Sequence, residues 1–261
     1  MKTRTLVIIA LATAFPALPA TASPGQTLAE QIIHRPANEG RIGEMHFTMT
    51  DKNGQTRQRE AMLVHSDADT SVKIAIHFTA PAAIADTAFL SHDNSGSVDE
   101  TWLFLPATER VRRLPSSDRG DAFMGTDLSY GDVKDNFKFQ LEDWTFSGGD
   151  QENEDGLLIL SGIAKDQAVR ETGYGAFTAL VDTNTLFPME VIYEDADGQL
   201  LKKVTVLDQD KIEGAWTAMH FRAENLQTGH QTDIQLKNVR CEPDLDSDLL
   251  DPDFLDDGAP D

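Results

Sequence analysis

Apolar and polar residues alternate through most of this chain. Met45, Phe47 and Met49 occupy every second position between Glu44 and Asp51, and Ile74, Ile76 and Phe78 repeat the pattern after Val72. A period of two is the signature of a strand with one buried face. The same reading predicts strands over 56–64, 101–105, 111–114, 137–146, 156–163, 176–182, 189–194, 200–208, 217–225 and 230–239. Lys52-Asn53-Gly54, Asp197-Gly198 and Thr228-Gly229 supply hairpin turns. About eleven strands joined mostly by short turns predict a mainly β fold, a single antiparallel meander. A sheet that wide must curl, because a flat one leaves long edges exposed. Trp102 and Phe104 alternate with Leu103 and Leu105, so part of the sheet is expected to be covered on both faces. A 3.6-residue period occurs at Thr27–His34, where Thr27 and Glu30 fit a capping box and Leu28 and Ile32 share a face.

Charge and the first residues change the picture in two ways. Met1–Arg4 is basic, 6–15 is apolar, and Ala20-Thr21-Ala22 is a small-residue cleavage site. This predicts a signal peptide over 1–22, a single domain over 23–256 and a flexible acidic tail over 257–261, in a protein exported to the periplasm. Loss of Lys2 and Arg4 leaves 20 basic residues against 44 acidic ones, a balance of −24. Such a chain is repelled by nucleic acid and by anionic lipid surfaces, and is expected to be neither a nucleic-acid binder nor membrane-embedded. Residues 242–261 hold nine acidic groups, yet Leu249, Leu250, Phe254 and Leu255 among them are spaced like docking residues. Cys241 is the one cysteine, which excludes an intramolecular disulfide and a cysteine-based metal site.

The chain shows no chemistry-bearing motif. Its seven histidines are scattered, with no His-Glu-x-x-His spacing, and there is no Gly-x-Ser-x-Gly elbow, phosphate loop or dinucleotide fingerprint. Asp51-x-Asn53-Gly54 and Asp195-x-Asp197-Gly198 read as hairpin turns rather than calcium loops, since the later ligands are missing. No catalytic residue, metal or cofactor is expected.

Three segments carry a resemblance: Trp102–Pro106, Arg110–Leu114, and above all Ser117–Tyr130 (SDRGDAFMGTDLSY). Together with 183–189, 226–232 and the ending at 245–255, they resemble the LolA-like family of outer-membrane lipoprotein-sorting proteins. The resemblance implies a curved half-barrel with helices covering its concave face. It also implies an apolar cavity for the acyl chains of a lipoprotein or lipid, carried toward the outer membrane by a monomer. An inner-membrane transporter, of the resistance–nodulation–division type in this branch, is the implied partner. The alternatives are a non-transporting accessory or sensor subunit of such an exporter and an enzyme that uses the cavity. On alternation, Met45, Phe47, Met49, Ile74, Ile76, Phe78, Trp102 and Phe104 are expected to line the cavity. Phe123, Met124 and Tyr130 are expected to gate it or dock a partner, with Asp118, Arg119 and Asp121 anchoring or docking that loop, and Arg112, Arg113 and Asp127 joining an ion-pair network.

Overall fold

The computed structural model describes residues 22–68, 71–94 and 99–259. The segment expected to be a signal peptide, Ala22 apart, and the last two residues of the expected acidic tail lie outside the described residues. Helix α1 (Pro24–Ile33) begins a turn earlier than Thr27, because the Ser23 hydroxyl accepts the Gln26 N–H at 3.1 Å and Pro24 presets the first helical turn. Thr27 therefore lies inside the helix rather than at its cap. Leu28, Ala29 and Ile32 form its buried face.

The strands are β1 (Gly40–Thr50), β2 (Thr56–Ala68), β3 (Ser71–Ala80), β4 (Ala88–Asn94), β5 (Glu100–Leu105) and β6 (Arg110–Arg113). After a long connection come β7 (Trp144–Glu152), β8 (Leu158–Ala164), β9 (Tyr174–Asp182), β10 (Phe187–Asp195), β11 (Leu200–Ile212), β12 (Ala215–Asn225) and β13 (Gln231–Cys241). They form one open sheet in the order β6-β5-β4-β3-β2-β1-β13-β12-β11-β10-β9-β8-β7, antiparallel throughout. Every neighbour is sequential except β1 and β13, whose pairing joins the two halves of the meander.

Thirteen strands form, where about eleven are expected and twelve segments are placed in the sequence. The addition is β4, whose Ser91, His92 and Asp93 obscure its apolar start, Ala88-Phe89-Leu90. The strand expected over 137–146 exists only from Trp144, because 137–143 belongs to the long connection. Two short helices, α2 (Tyr130–Asp135) and α3 (Asp166–Thr172), were hidden among polar residues.

Curvature follows from which strands share a cavity. β3 and β10 stand six places apart in the sheet, roughly 30 Å at the usual spacing if the sheet were flat. Yet Ile74 and Ile76 of β3 line the same cavity as Phe187 and Val191 of β10. The connection from β6 to β7, residues 114–143, therefore runs from one sheet edge to the other across the concave side, carrying α2. Its Leu114, Phe123 and Leu128 pack with Phe47, Phe78 and Phe89 of the sheet. Helix α1 covers the β7–β10 end of the same face against Trp144, Phe146 and Phe177.

The convex face of β1–β6 is apolar as well. Ile42, Val64, Ala75, Leu90 and Phe104 form a second layer there, capped by Leu250 and Leu255 from two short 3₁₀ turns (Ser247–Leu250 and Pro252–Phe254). Of the expected docking residues of the acidic ending, Leu250 and Leu255 are buried there and Leu249 packs beside them, whereas Phe254 stays exposed.

Candidate functional site

The concave side holds a cavity of about 110 Å³. Its walls come from strands on both sides of the β1–β13 junction: Met45, Leu63 and Ile76 on one, Val204, Phe221 and Leu236 on the other. Its roof is the crossing segment, through Leu128, Val133 and Phe137. The Phe137 ring sits 5.2 Å from that of Phe187 and 5.0 Å from that of Phe221, plugging the space between the sheet halves. Asn136 and Phe137 both adopt left-handed backbone angles, φ 45° and 61°. That conformation is unfavourable for a bulky phenylalanine and persists only where the surroundings impose it.

The cavity is polar at one end. Alternation along β1 places Arg41 on the same face as Met45, and along β2 it places Asp67 and His65 beside Leu63. Lys138 of the crossing segment closes that end through a 2.7 Å ion pair with Asp67. Arg35, just after α1, is buried and donates to the carbonyl oxygens of Ile32, Asn136 and Phe137 at 2.9–3.1 Å. Burial lowers both guanidinium values to about 10, with Arg35 further lowered by Arg41, and Asp67 partly offsets the drop in each. His65 is pushed well below its ordinary value by burial and then by Arg41, Lys138 and Arg35, so it is neutral.

Several bonds clamp the crossing segment. Arg119 pairs with Asp143 at 2.6 Å and with Glu171 of α3 at 3.1 Å. Burial would lower the Arg119 value, but Asp135, Asp143 and Glu171 outweigh it and raise it. The Gly120 N–H donates to the Glu171 carbonyl at 2.9 Å, and a Cβ at Gly120 would lie 2.6 Å from the Thr172 carbonyl oxygen. Asp127 binds His230 at 2.6 Å and Thr232 at 2.7 Å, and Arg59 of β2 donates to the Met124 carbonyl. Helix α2 opens on a capping box between Ser129 and Asp132, and Asp132 also takes hydrogen bonds from Lys202 (2.6 Å) and Tyr174 (3.0 Å).

Solved structures share this architecture. A domain described as a candidate outer-membrane lipoprotein-sorting protein from Vibrio parahaemolyticus is 25% identical, covering 89% of this chain and 98% of its own, with a TM-score of 0.80. A DUF1329 family protein from Desulfovibrio piger is also 25% identical over 90% of this chain and 100% of its own, at 0.79. A LolA superfamily protein from Nitrosomonas europaea, at 18% identity over 89% and 100%, shows the fold with a TM-score of 0.67. A family profile described simply as an uncharacterized protein matches residues 70–257. The chain belongs to the LolA-like family. No curated protein matches it.

Within this LolA-like frame the expected site residues separate. Met45, Ile74 and Ile76 line the cavity. Phe47 and Phe78 lie on the same face, deeper in the core beneath Phe123, and Met49 is buried at the far end of β1. Trp102 and Phe104 are on the convex face, packed with the C-terminal turns, because in β5 it is Leu103 that turns inward. Phe123 is completely buried, its ring 5.2 Å from Phe89 and 5.6 Å from Tyr130, which makes it a core residue rather than a surface flap. Met124 and Tyr130 are half-buried beside it.

The charged residues of the loop act differently from the network expected of them. Arg119 anchors, but to Asp143 and Glu171, and Arg113 pairs with Glu100 at 3.1 Å. Among the described residues Asp118, Asp121 and Arg112 form no ion pair. The walls contributed by β10–β13, together with Phe137, Arg35 and Arg41, were missed. Alternation at Val204/Val206 and Phe221/Ala223 signalled the first group. Nothing in the sequence distinguishes Arg35 and Arg41 from surface arginines. Among the described residues no three His, Cys, Asp or Glu side chains are placed to hold a metal, and no helix is long and apolar enough to cross a membrane.

Proposed function

We propose that the protein is a periplasmic carrier that shelters the acyl chain of a lipoprotein or lipid on its way toward the outer membrane, received from an inner-membrane transporter. The observation that carries the proposal is the apolar cavity walled by both halves of one sheet and roofed by a single crossing segment. The lipoprotein-sorting description of the Vibrio neighbour supports it. An acyl chain in water costs about 0.8 kcal/mol per exposed CH₂, so a shuttle needs apolar walls and a movable roof, and no catalytic group.

As it stands the cavity is too small for a whole chain. An engineered apolar cavity of about 150 Å³ holds one benzene, and this one offers about 110 Å³. Loading therefore requires Phe137 and its neighbours to withdraw, which the strained backbone at Asn136–Phe137 favours. Titration of the purified protein with a fluorescent acyl probe tests the reading. Saturable binding is expected, and Ala218→Trp, which puts an indole into the β12 part of the wall, should abolish it while the fold persists. Unsaturable binding, or binding unaffected by the filled wall, contradicts it.

A further inference from the structure

The cavity is amphiphilic, and the cations and carboxylates that line it are unevenly paired. Three cationic side chains line it, Arg35, Arg41 and Lys138. Lys138 is committed to Asp67 at 2.7 Å; from outside the lining Lys202 holds Asp132 at 2.6 Å, and Lys134, paired chiefly with Asp99, lies 3.5 Å from Asp135. Asp67, Asp132 and Asp135 are the acidic members of the lining. Arg35 and Arg41 remain. Among the described residues, neither has a carboxylate within ion-pairing distance.

Both arginines are buried, with 7% and 8% of their surface exposed. Arg35 is at least satisfied by three carbonyl oxygens. Arg41 is not: one terminal nitrogen donates to the Thr217 hydroxyl at 3.0 Å, and its Nε is buried without an acceptor. A buried cation with no carboxylate at ion-pairing distance is costly, and Asp67 offsets that cost only in part. It is the more notable in a chain with twice as many acidic as basic residues, 44 against 22, where a partner carboxylate was cheap to supply. The apolar walls begin directly beyond it, at Met45 and Leu63 on the same strand faces.

We infer that the cavity binds an anionic amphiphile, with a carboxylate or phosphate head held by Arg41 and Arg35 and a single acyl chain running toward Met45, Ile76 and Val204. This rests on the carrier reading and gives it a ligand class. A guanidinium offers paired donors that match a carboxylate or phosphate, and such charge-assisted bonds are about twice as strong as neutral ones. The neutral state of His65 fits the same field, since the positive charges beside it disfavour a further cation. The shared chemistry is an anion on an acyl chain, whether a free fatty acid or a lysophosphatidic acid.

Competition against a bound fluorescent fatty acid decides the matter. Palmitate and its methyl ester, and lysophosphatidic acid and its monoacylglycerol, are compared on the wild-type protein and on Arg41→Met and Arg41→Lys. The expected result is a preference of tenfold or more for at least one anion over its neutral counterpart. Which anion gains the preference identifies the source. Arg41→Met should reduce the preference to within twofold while leaving neutral affinities unchanged, and Arg41→Lys should retain part of it. Equal affinity of acid and ester, and of phosphate and glycerol ester, in the wild-type protein overturns the inference but leaves the carrier intact. A preference that survives in folded Arg41→Met also overturns it. Failure of every acyl compound to bind overturns the carrier reading along with it. The wild-type comparison stands even if a variant does not fold.

Discussion

The guanidinium of Arg35 donates to the carbonyl oxygen of Phe137 at 2.9 Å, tying the end of α1 to the residue that plugs the cavity. The same side chain holds the Asn136 carbonyl at 3.0 Å, and its guanidinium lies 4.6 Å from the ring centroid of Phe187. Plug, helix and wall thus meet at one residue. Arg35→Met should free the 136–137 turn, with faster uptake of an acyl probe and faster amide exchange at 133–138. Unchanged exchange there would show that the turn is held by Phe137 packing alone.

Phe137→Ala should enlarge the cavity and tighten probe binding. The ring is only half-buried, so the cost should fall toward the low end of the roughly 3–5 kcal/mol seen for fully buried phenylalanines. Denaturant unfolding and probe titration on the same preparation separate the two effects.

Phe123→Ser should behave as a core lesion. Its ring is wholly buried and touches Phe78, Phe89 and Tyr130, so a loss of about 3–5 kcal/mol is expected, with probe affinity per folded molecule close to normal. Gly120→Ala should also destabilise, by about 1–3 kcal/mol, since its Cβ would press on the Thr172 carbonyl. Its effect should be concentrated in the Arg119–Glu171 clamp and visible as faster exchange at 118–121.

Asp135 should make stability fall as pH rises. Its carboxyl is pushed from 3.8 to about 6, mainly by burial, against the pull of Lys134 and Arg119. A carboxyl with a folded value above its unfolded one binds its proton more tightly in the folded chain. Its contribution is therefore greatest below about pH 4 and is lost as pH climbs to about 6, by roughly 3 kcal/mol for two pKa units. The difference in unfolding free energy between wild type and Asp135→Asn, measured from pH 4 to 7, should follow that slope. A flat difference would show that Asp135 stays ionised through the window.

Much of the fold was legible because alternation is a local property. Met45, Ile74 and Ile76 reach the cavity by parity alone. Parity fixes the set of residues that share a face but not which face is concave, so Trp102 and Phe104 were assigned to the wrong one. The decisive neighbours, Leu250 and Leu255, arrive from the far end of the chain. The crossing segment was legible as an interruption, but its role depends on joining edges β6 and β7, a relation between residues that alternation does not encode. Arg35 and Arg41 gain their character from burial by strands distant in sequence, and Phe137 from a turn that no glycine or proline announces.

The most direct test of the carrier account is native mass spectrometry of the protein purified from cells without detergent. The account expects a population heavier than the protein alone by the mass of one lipid, absent from Ala218→Trp prepared in the same way. Bare chain alone in the wild-type sample, with no adduct after incubation with acyl lipids, would contradict it.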